Sequence, residues 1–188
     1  MMLLMTIPFV ILTISSISSP QDPMNNSKTV YDFTMETIDG VERPLSDYSG
    51  KVLLIVNVAS KCGYTPQYKD LEKVHRKYHK DGLEVLGFPA NNFRGQEPGT
   101  DSEIKEFCTT KYDVTFDMFS KISVKGDDQH PLYTYLTTQT EFPGEVKWNF
   151  QKYLVDRSGN VVAMIPTKTT PTDPEVVSQI EKLLAEGN

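Results

Sequence analysis

The chain contains only two cysteines, Cys62 and Cys108, one tryptophan, Trp148, and three histidines among 188 residues. Two thiols are too few for a disulfide framework, so the fold has to rest on a hydrophobic core. They leave room for a single structural disulfide or for a reactive pair. No excess of cationic side chains exists: nineteen Lys and Arg face twenty-five Asp and Glu, for a net charge of −6. That speaks against nucleic acid as a partner, since few cations are free to displace phosphate counterions. No apolar run is long enough to cross a bilayer as a helix. The longest, Met1 to Ile14, has the length of the apolar segment of a secretory signal.

Small residues follow that segment and end near Ser19-Pro20, so residues 1–19 read as an export signal and the mature protein as secreted or periplasmic. No Lys or Arg precedes the run. A retained or lipid-attached anchor therefore stays open, as does a start codon assigned too far upstream, which would leave the protein cytoplasmic. Residues 20–28, rich in Asn, Ser and Pro, read as a linker, and 29–188 as one domain.

Within that domain, hydrophobic periodicity orders the elements. Val30–Thr37 and Val41–Pro44 flank Asp39-Gly40, which predicts a hairpin with a two-residue turn. Val52–Val58 is a continuous β-branched run and predicts a strand buried on both faces. After the loop Ala59–Tyr64, Thr65-Pro66 offers an N-cap and a first-turn proline. Tyr68, Leu71, Val74 and Tyr78 then repeat at helical spacing. Asp81-Gly82 ends that helix, and Leu83–Phe88 predicts a second buried strand. Thr100 and Glu103 form a capping-box pattern that opens a helix through Phe107 and Cys108 towards Tyr112. His130-Pro131 opens a shorter helix with His130 as its cap. Phe150–Val155 and Val161–Ile165 predict strands joined by a turn at Asp156–Asn160, and Asp173-Pro174 caps a last helix. The order implies an α/β protein with a central mixed sheet, helices on both faces and an N-terminal hairpin, compatible with a thioredoxin-like fold.

Cys62 falls between a buried strand and a helix start, where free N–H groups and the helix dipole favour the thiolate, and Lys61 acts in the same direction. Thr65 stands where a disulfide oxidoreductase needs its second cysteine, so exchange of protein disulfides would stall. A thiolate attacking the O–O bond of a hydroperoxide needs no such neighbour and yields a sulfenic acid.

Asn57-Val-Ala-Ser-Lys-Cys62-Gly-Tyr-Thr65 resembles the active-site motif of the glutathione peroxidase family. Leu86-Gly-Phe-Pro-Ala-Asn-Asn-Phe93, Gly95-Gln96-Glu97-Pro98-Gly99 and Lys147-Trp148-Asn149-Phe150 resemble its other signatures, in the same order. The resemblance is to the members with cysteine in place of selenocysteine. It implies a thioredoxin-like fold and a catalytic group of Cys62, Gln96, Trp148 and Asn149, with no cofactor. It also implies a hydroperoxide substrate and regeneration by glutathione or thioredoxin. Asp117–Leu136 resembles the class that reduces phospholipid hydroperoxides. Between Leu136 and Lys147 there is no room for the insertion of the tetrameric members. A monomer is thus implied, with an open surface that admits transient contact with membrane lipid. Cys108 lies where relatives that use thioredoxin carry a resolving cysteine, about one helix position displaced. A small buried apolar side chain is the other reading of Cys108.

Two other assignments fit less well. A peroxiredoxin would need Thr at the position of Ala59, and an exported thioredoxin-fold copper- or thiol-binding chaperone would need a second cysteine at the position of Pro66. His75 and His79, four apart on a helix, have metal-binding spacing but no accompanying carboxylate motif, and they read as a solvated face, so no metal is expected.

Overall fold

The computed structural model describes residues 28–186; the segments read as export signal and linker lie outside them, apart from Lys28. A small antiparallel sheet comes first, β1 (Thr34–Glu36) against β2 (Glu42–Pro44). The main sheet has five strands: β3 (Val52–Val58), β4 (Leu83–Pro89), β5 (Asp117–Met118), β6 (Lys152–Val155) and β7 (Val161–Ile165). Their order is β5-β4-β3-β6-β7. β4 runs parallel to β3 and β5, whereas β6 is antiparallel to β3 and β7. The described residues also hold four α-helices: α1 (Gln67–Tyr78), α2 (Asp101–Tyr112), α3 (Pro131–Thr138) and α4 (Pro174–Ala185).

β3 shows how the apolar run becomes a two-sided core. Successive side chains of a strand point to opposite faces. Val52, Leu54, Val56 and Val58 accordingly join Leu71 and Val74 of α1 and Ile180 of α4 on one face. Leu53 and Ile55 join Leu132, Tyr133 and Leu136 of α3 and Leu45 on the other. All seven strand residues are buried, and at about 25 cal/mol per Å2 of apolar surface this strand is the centre of stability. The Met118 and Phe116 side chains pack directly on the Gly87 backbone in β4: a Cβ there would stand 2.5 Å from the Met118 sulfur and 3.2 Å from the Phe116 ring. This is a thioredoxin-like fold with a small hairpin sheet at its N-terminal end.

Several local expectations shift. Val30–Asp32 is a 3-10 turn, and the hairpin closes through Thr37 N–H to the Val41 carbonyl at 2.8 Å, which makes its loop three residues long. Gly40 takes φ +78° there, a left-handed conformation that glycine adopts without penalty. β6 starts at Lys152 instead of Phe150, because Phe150 has φ +66° and cannot continue a strand. α1 begins at Gln67, after Pro66, and Thr65 does not cap it. The capping box of α2 forms as read: Glu103 N–H donates to Thr100 Oγ1 at 3.3 Å, and Thr100 N–H donates to Glu103 Oε2 at 2.7 Å. His130 caps α3, its Nδ1 accepting from Leu132 N–H at 3.2 Å. β5 escaped the sequence reading, being two residues long.

Candidate active site

The site forms where β3 leaves the sheet. Residues 60–66 fold as consecutive turns between β3 and α1, and Thr65 holds them closed. Its hydroxyl donates to the Ala59 carbonyl at 2.8 Å and accepts from Cys62 N–H at 2.9 Å. This is why Thr65 is missing from the helix cap: its one oxygen is committed to the loop carrying the cysteine. Cys62 is buried, with 8% of its surface exposed, and its sulfur accepts the backbone N–H of Tyr64 at 3.4 Å. The donor at the sulfur thus belongs to the turn, ahead of the helix proper.

Three segments are laced to one another beside this loop. Lys61 N–H donates to the Gln96 carbonyl at 3.0 Å, tying the cysteine turn to the loop after β4. Asn149 Nδ2 donates to the Gln96 side-chain oxygen at 2.9 Å. Asn57, inside β3, donates from Nδ2 to the Trp148 carbonyl at 3.2 Å, and its own carbonyl accepts Phe150 N–H at 2.6 Å. The left-handed turn at Phe150 follows directly upon Asn149, which is wholly buried. Buried amides are costly without partners, yet the Asn149 side-chain oxygen has none among the described residues.

Trp148 is half-buried between the ring of Phe93, 5.4 Å away between centroids, and the guanidinium of Arg94, 5.4 Å from the indole centroid. Gln96, Trp148 and Asn149 therefore sit on two loops that are bonded to the strand and turn of Cys62. None of the three donates to the Cys62 sulfur, whose hydrogen bond comes from Tyr64.

Sequence reasoning missed three positioning residues. Asn57 was visible as the one polar side chain in an apolar strand. Thr65 has the sequence marks of a helix cap and of the position a second cysteine would take, neither of which is its role in the turn. Glu97, 1% exposed, accepts from the Ser60 hydroxyl at 3.1 Å, and burial raises its carboxyl above the usual range, with Ser60 opposing the shift. Adjacent to it, Ser60, Lys61, Pro98, Gly99, Ile104 and Phe107 line a cavity of about 330 Å3 between the cysteine turn and α2.

Cys108 is buried at 1% exposure in α2, and both thiols are free. Burial pushes the Cys108 thiol up to about 11, with the Tyr68 side chain pulling the other way. The histidine pair departs from expectation. His75 is buried at 6% exposure, so the pair is not a solvated face. Its ring lies against Phe116, 6.0 Å between centroids, because α1 turns that flank onto β4 and β5.

A thioredoxin-like domain with one nucleophile-bearing turn, no partner cysteine beside it and amides gathered on adjoining loops defines a thiol-dependent oxidoreductase that works on small oxidants. Comparison with known proteins narrows the class. The glutathione peroxidase family model matches residues 30–137. The glutathione peroxidase of Lactococcus lactis is 47% identical over 156 residues, covering 82% of this chain and 98% of its own. The hydroperoxy fatty acid reductase of Synechocystis is 45% identical over 168 residues, covering 84% and 97%. Among solved structures, Trgpx in its apo form superimposes with a TM-score of 0.70 at 36% identity, covering 85% of this chain and 97% of its own. The chain belongs to the glutathione peroxidase family, and it is a thiol peroxidase.

Proposed function

We propose that Cys62 is the peroxidatic nucleophile for hydrogen peroxide and for organic and lipid hydroperoxides. Its thiolate attacks the outer oxygen of ROOH; the O–O bond breaks, an S–O bond forms, and the RO− leaving group takes a proton to depart as alcohol or water. The sulfenic acid then condenses with a thiol, giving a disulfide and water, and a second thiol releases Cys62. The observation that carries this reading is the Cys62 turn itself: a lone cysteine at the end of β3, held by Thr65 and given a backbone N–H by Tyr64. Gln96, Trp148 and Asn149 supply amide and indole donors for the peroxide and for the proton that reaches the leaving oxygen. The Synechocystis relative's name supports the lipid arm of the substrate range.

Glutathione or thioredoxin is the reductant. Cys108 acts as the resolving thiol with thioredoxin: α2 buries only Ile104 and Cys108, so its opening exposes the second sulfur at low cost. The enzyme works as a monomer that touches lipid transiently, and it is exported once residues 1–19 are removed; an intact mass that retains Met1 would refute that removal. The decisive experiment is Cys62→Ser in a coupled peroxide assay offering glutathione and thioredoxin separately. Loss of turnover with both, in a variant whose circular dichroism matches the parent, is expected. Appreciable residual turnover would overturn the assignment.

A further inference from the structure

His75, His79 and Glu84 bring one ligand atom each to within 4.8 Å of one another, at the C-terminal end of α1, whereas Cys62 precedes its N-terminal end. His75, in the last turn of α1, and His79, its C-cap, are four residues apart, with ring centroids 4.8 Å from each other. Glu84 reaches them from β4, and its two oxygens lie 3.1 and 3.2 Å from His79 Nδ1. The three line a cavity of about 340 Å3 together with Tyr48, Thr115, Phe116 and Asp117.

The His79–Glu84 hydrogen bond accounts for two of these side chains. It leaves His75 unexplained. His75 is 94% buried by its 6% exposure, and its Nδ1 has no partner among the described residues. A buried unpaired polar atom costs about 1–3 kcal/mol, and nothing in the peroxidase site uses it.

We propose that His75, His79 and Glu84 form a binding site for one divalent first-row transition ion of the zinc class, with water completing the shell. Two imidazoles and a carboxylate suit Zn2+ and its neighbours, whereas Mg2+ and Ca2+ prefer oxygen shells. Bonds of about 2.0 Å at tetrahedral angles put ligand atoms about 3.3 Å apart. His79 and Glu84 already meet that spacing.

The ion would not meet the peroxide. Glu84 is in register with Leu53 near the start of β3, while Cys62 follows the strand's other end. Along α1, His75 lies eight residues beyond Gln67, about 12 Å. The site joins the last turns of α1 to β4, so occupancy stabilises the folded chain by mass action.

The test titrates Zn2+ into the reduced, tag-free full chain in competition with a chromogenic chelator. One equivalent should bind, His79→Asn and Glu84→Gln should each weaken it at least tenfold, and Cys62→Ser should keep it within twofold. Both His79→Asn and Glu84→Gln should retain parental peroxide turnover and circular dichroism. Co2+ in the same chain should show visible ligand-field bands without a thiolate charge-transfer band. Absence of the equivalent, unchanged affinity in both variants, or its loss in Cys62→Ser would overturn the assignment.

Discussion

The side chains of Asn149 and Gln96, 53 residues apart, meet at 2.9 Å, with Asn149 Nδ2 donating to the Gln96 oxygen. That bond spends one donor of Asn149 and one acceptor of Gln96, leaving the Gln96 amide hydrogens free to face an incoming oxygen. Neither amide is oriented without the other.

Removing either partner should therefore damage the same step. Gln96→Ala and Asn149→Ala are each expected to slow oxidation of Cys62 by about 100-fold, the scale for losing a donor aimed at developing negative charge. The double variant should fall well short of the product of the two losses, because the pair acts as a unit. Trp148 is the sole tryptophan, so stopped-flow fluorescence after a peroxide pulse reads the step directly. Parental rates in both single variants would remove the amides from the mechanism.

Resolution should depend on the stability of α2. After one equivalent of peroxide, non-reducing peptide mapping should show a Cys62–Cys108 disulfide. Cys108→Ser should lose thioredoxin-supported turnover while still forming the sulfenic acid. The folded thiol stands at about 11, so it is almost wholly protonated at neutral pH until the helix opens. Thr100→Ala removes the cap of α2 at a cost of about 1 kcal/mol, and it should speed disulfide formation about fivefold. Undiminished thioredoxin turnover in Cys108→Ser would make Cys108 structural and an external thiol the resolver.

Lys152 gives the fold a pH dependence. It lies fully buried in β6, its ammonium bonded to the Thr169 carbonyl at 2.6 Å. Burial holds it at about 7 against an ordinary 10.5, with Asp70 opposing the shift. Between those values the unfolded chain binds the extra proton, so stability rises with pH from about 7 towards 10, at up to about 1.4 kcal/mol per unit. Urea denaturation of the parent between pH 7 and 9.5 should show that slope. Lys152→Met should flatten it and should gain most at the acidic end.

Thr65→Ala should loosen the cysteine turn by stranding Cys62 N–H, with the Ala59 carbonyl also losing its donor. A loss of about 1–3 kcal/mol follows from one buried unpaired group. Thr65→Ser keeps the hydroxyl and should restore both the melting temperature and the rate of Cys62 oxidation. If Thr65→Ala matches the parent in both measurements, the turn is held by something else.

The sheet and its helices could be read from periodicity because burial on two faces imposes it: Val52–Val58 is apolar throughout, and α1 alternates at 3.6. Thr100 and His130 were readable as caps because capping is local. What escaped depended on contacts distant in sequence. The left-handed Phe150 goes with Asn57, in β3, accepting its N–H. Thr65 looks like a helix cap until Ala59 and Cys62 claim its oxygen. His75 looks solvated until β4 and β5 close over α1. At the site, residue types and order were legible, whereas the pairing of Gln96 with Asn149 required the fold.

The antiparallel docking of β6 on β3 also sets when the enzyme can first work. Asn57 holds Trp148 across 91 residues of chain, so a growing polypeptide that has already emerged past Cys62 still lacks its indole and one of its amides. At a synthesis rate of about 5–20 residues per second, roughly 5 to 20 seconds separate the two. Throughout that interval the nascent chain carries the thiol without the apparatus that directs it. Its defence against premature oxidation then falls to whatever reducing surroundings, or chaperones, meet it at the ribosome.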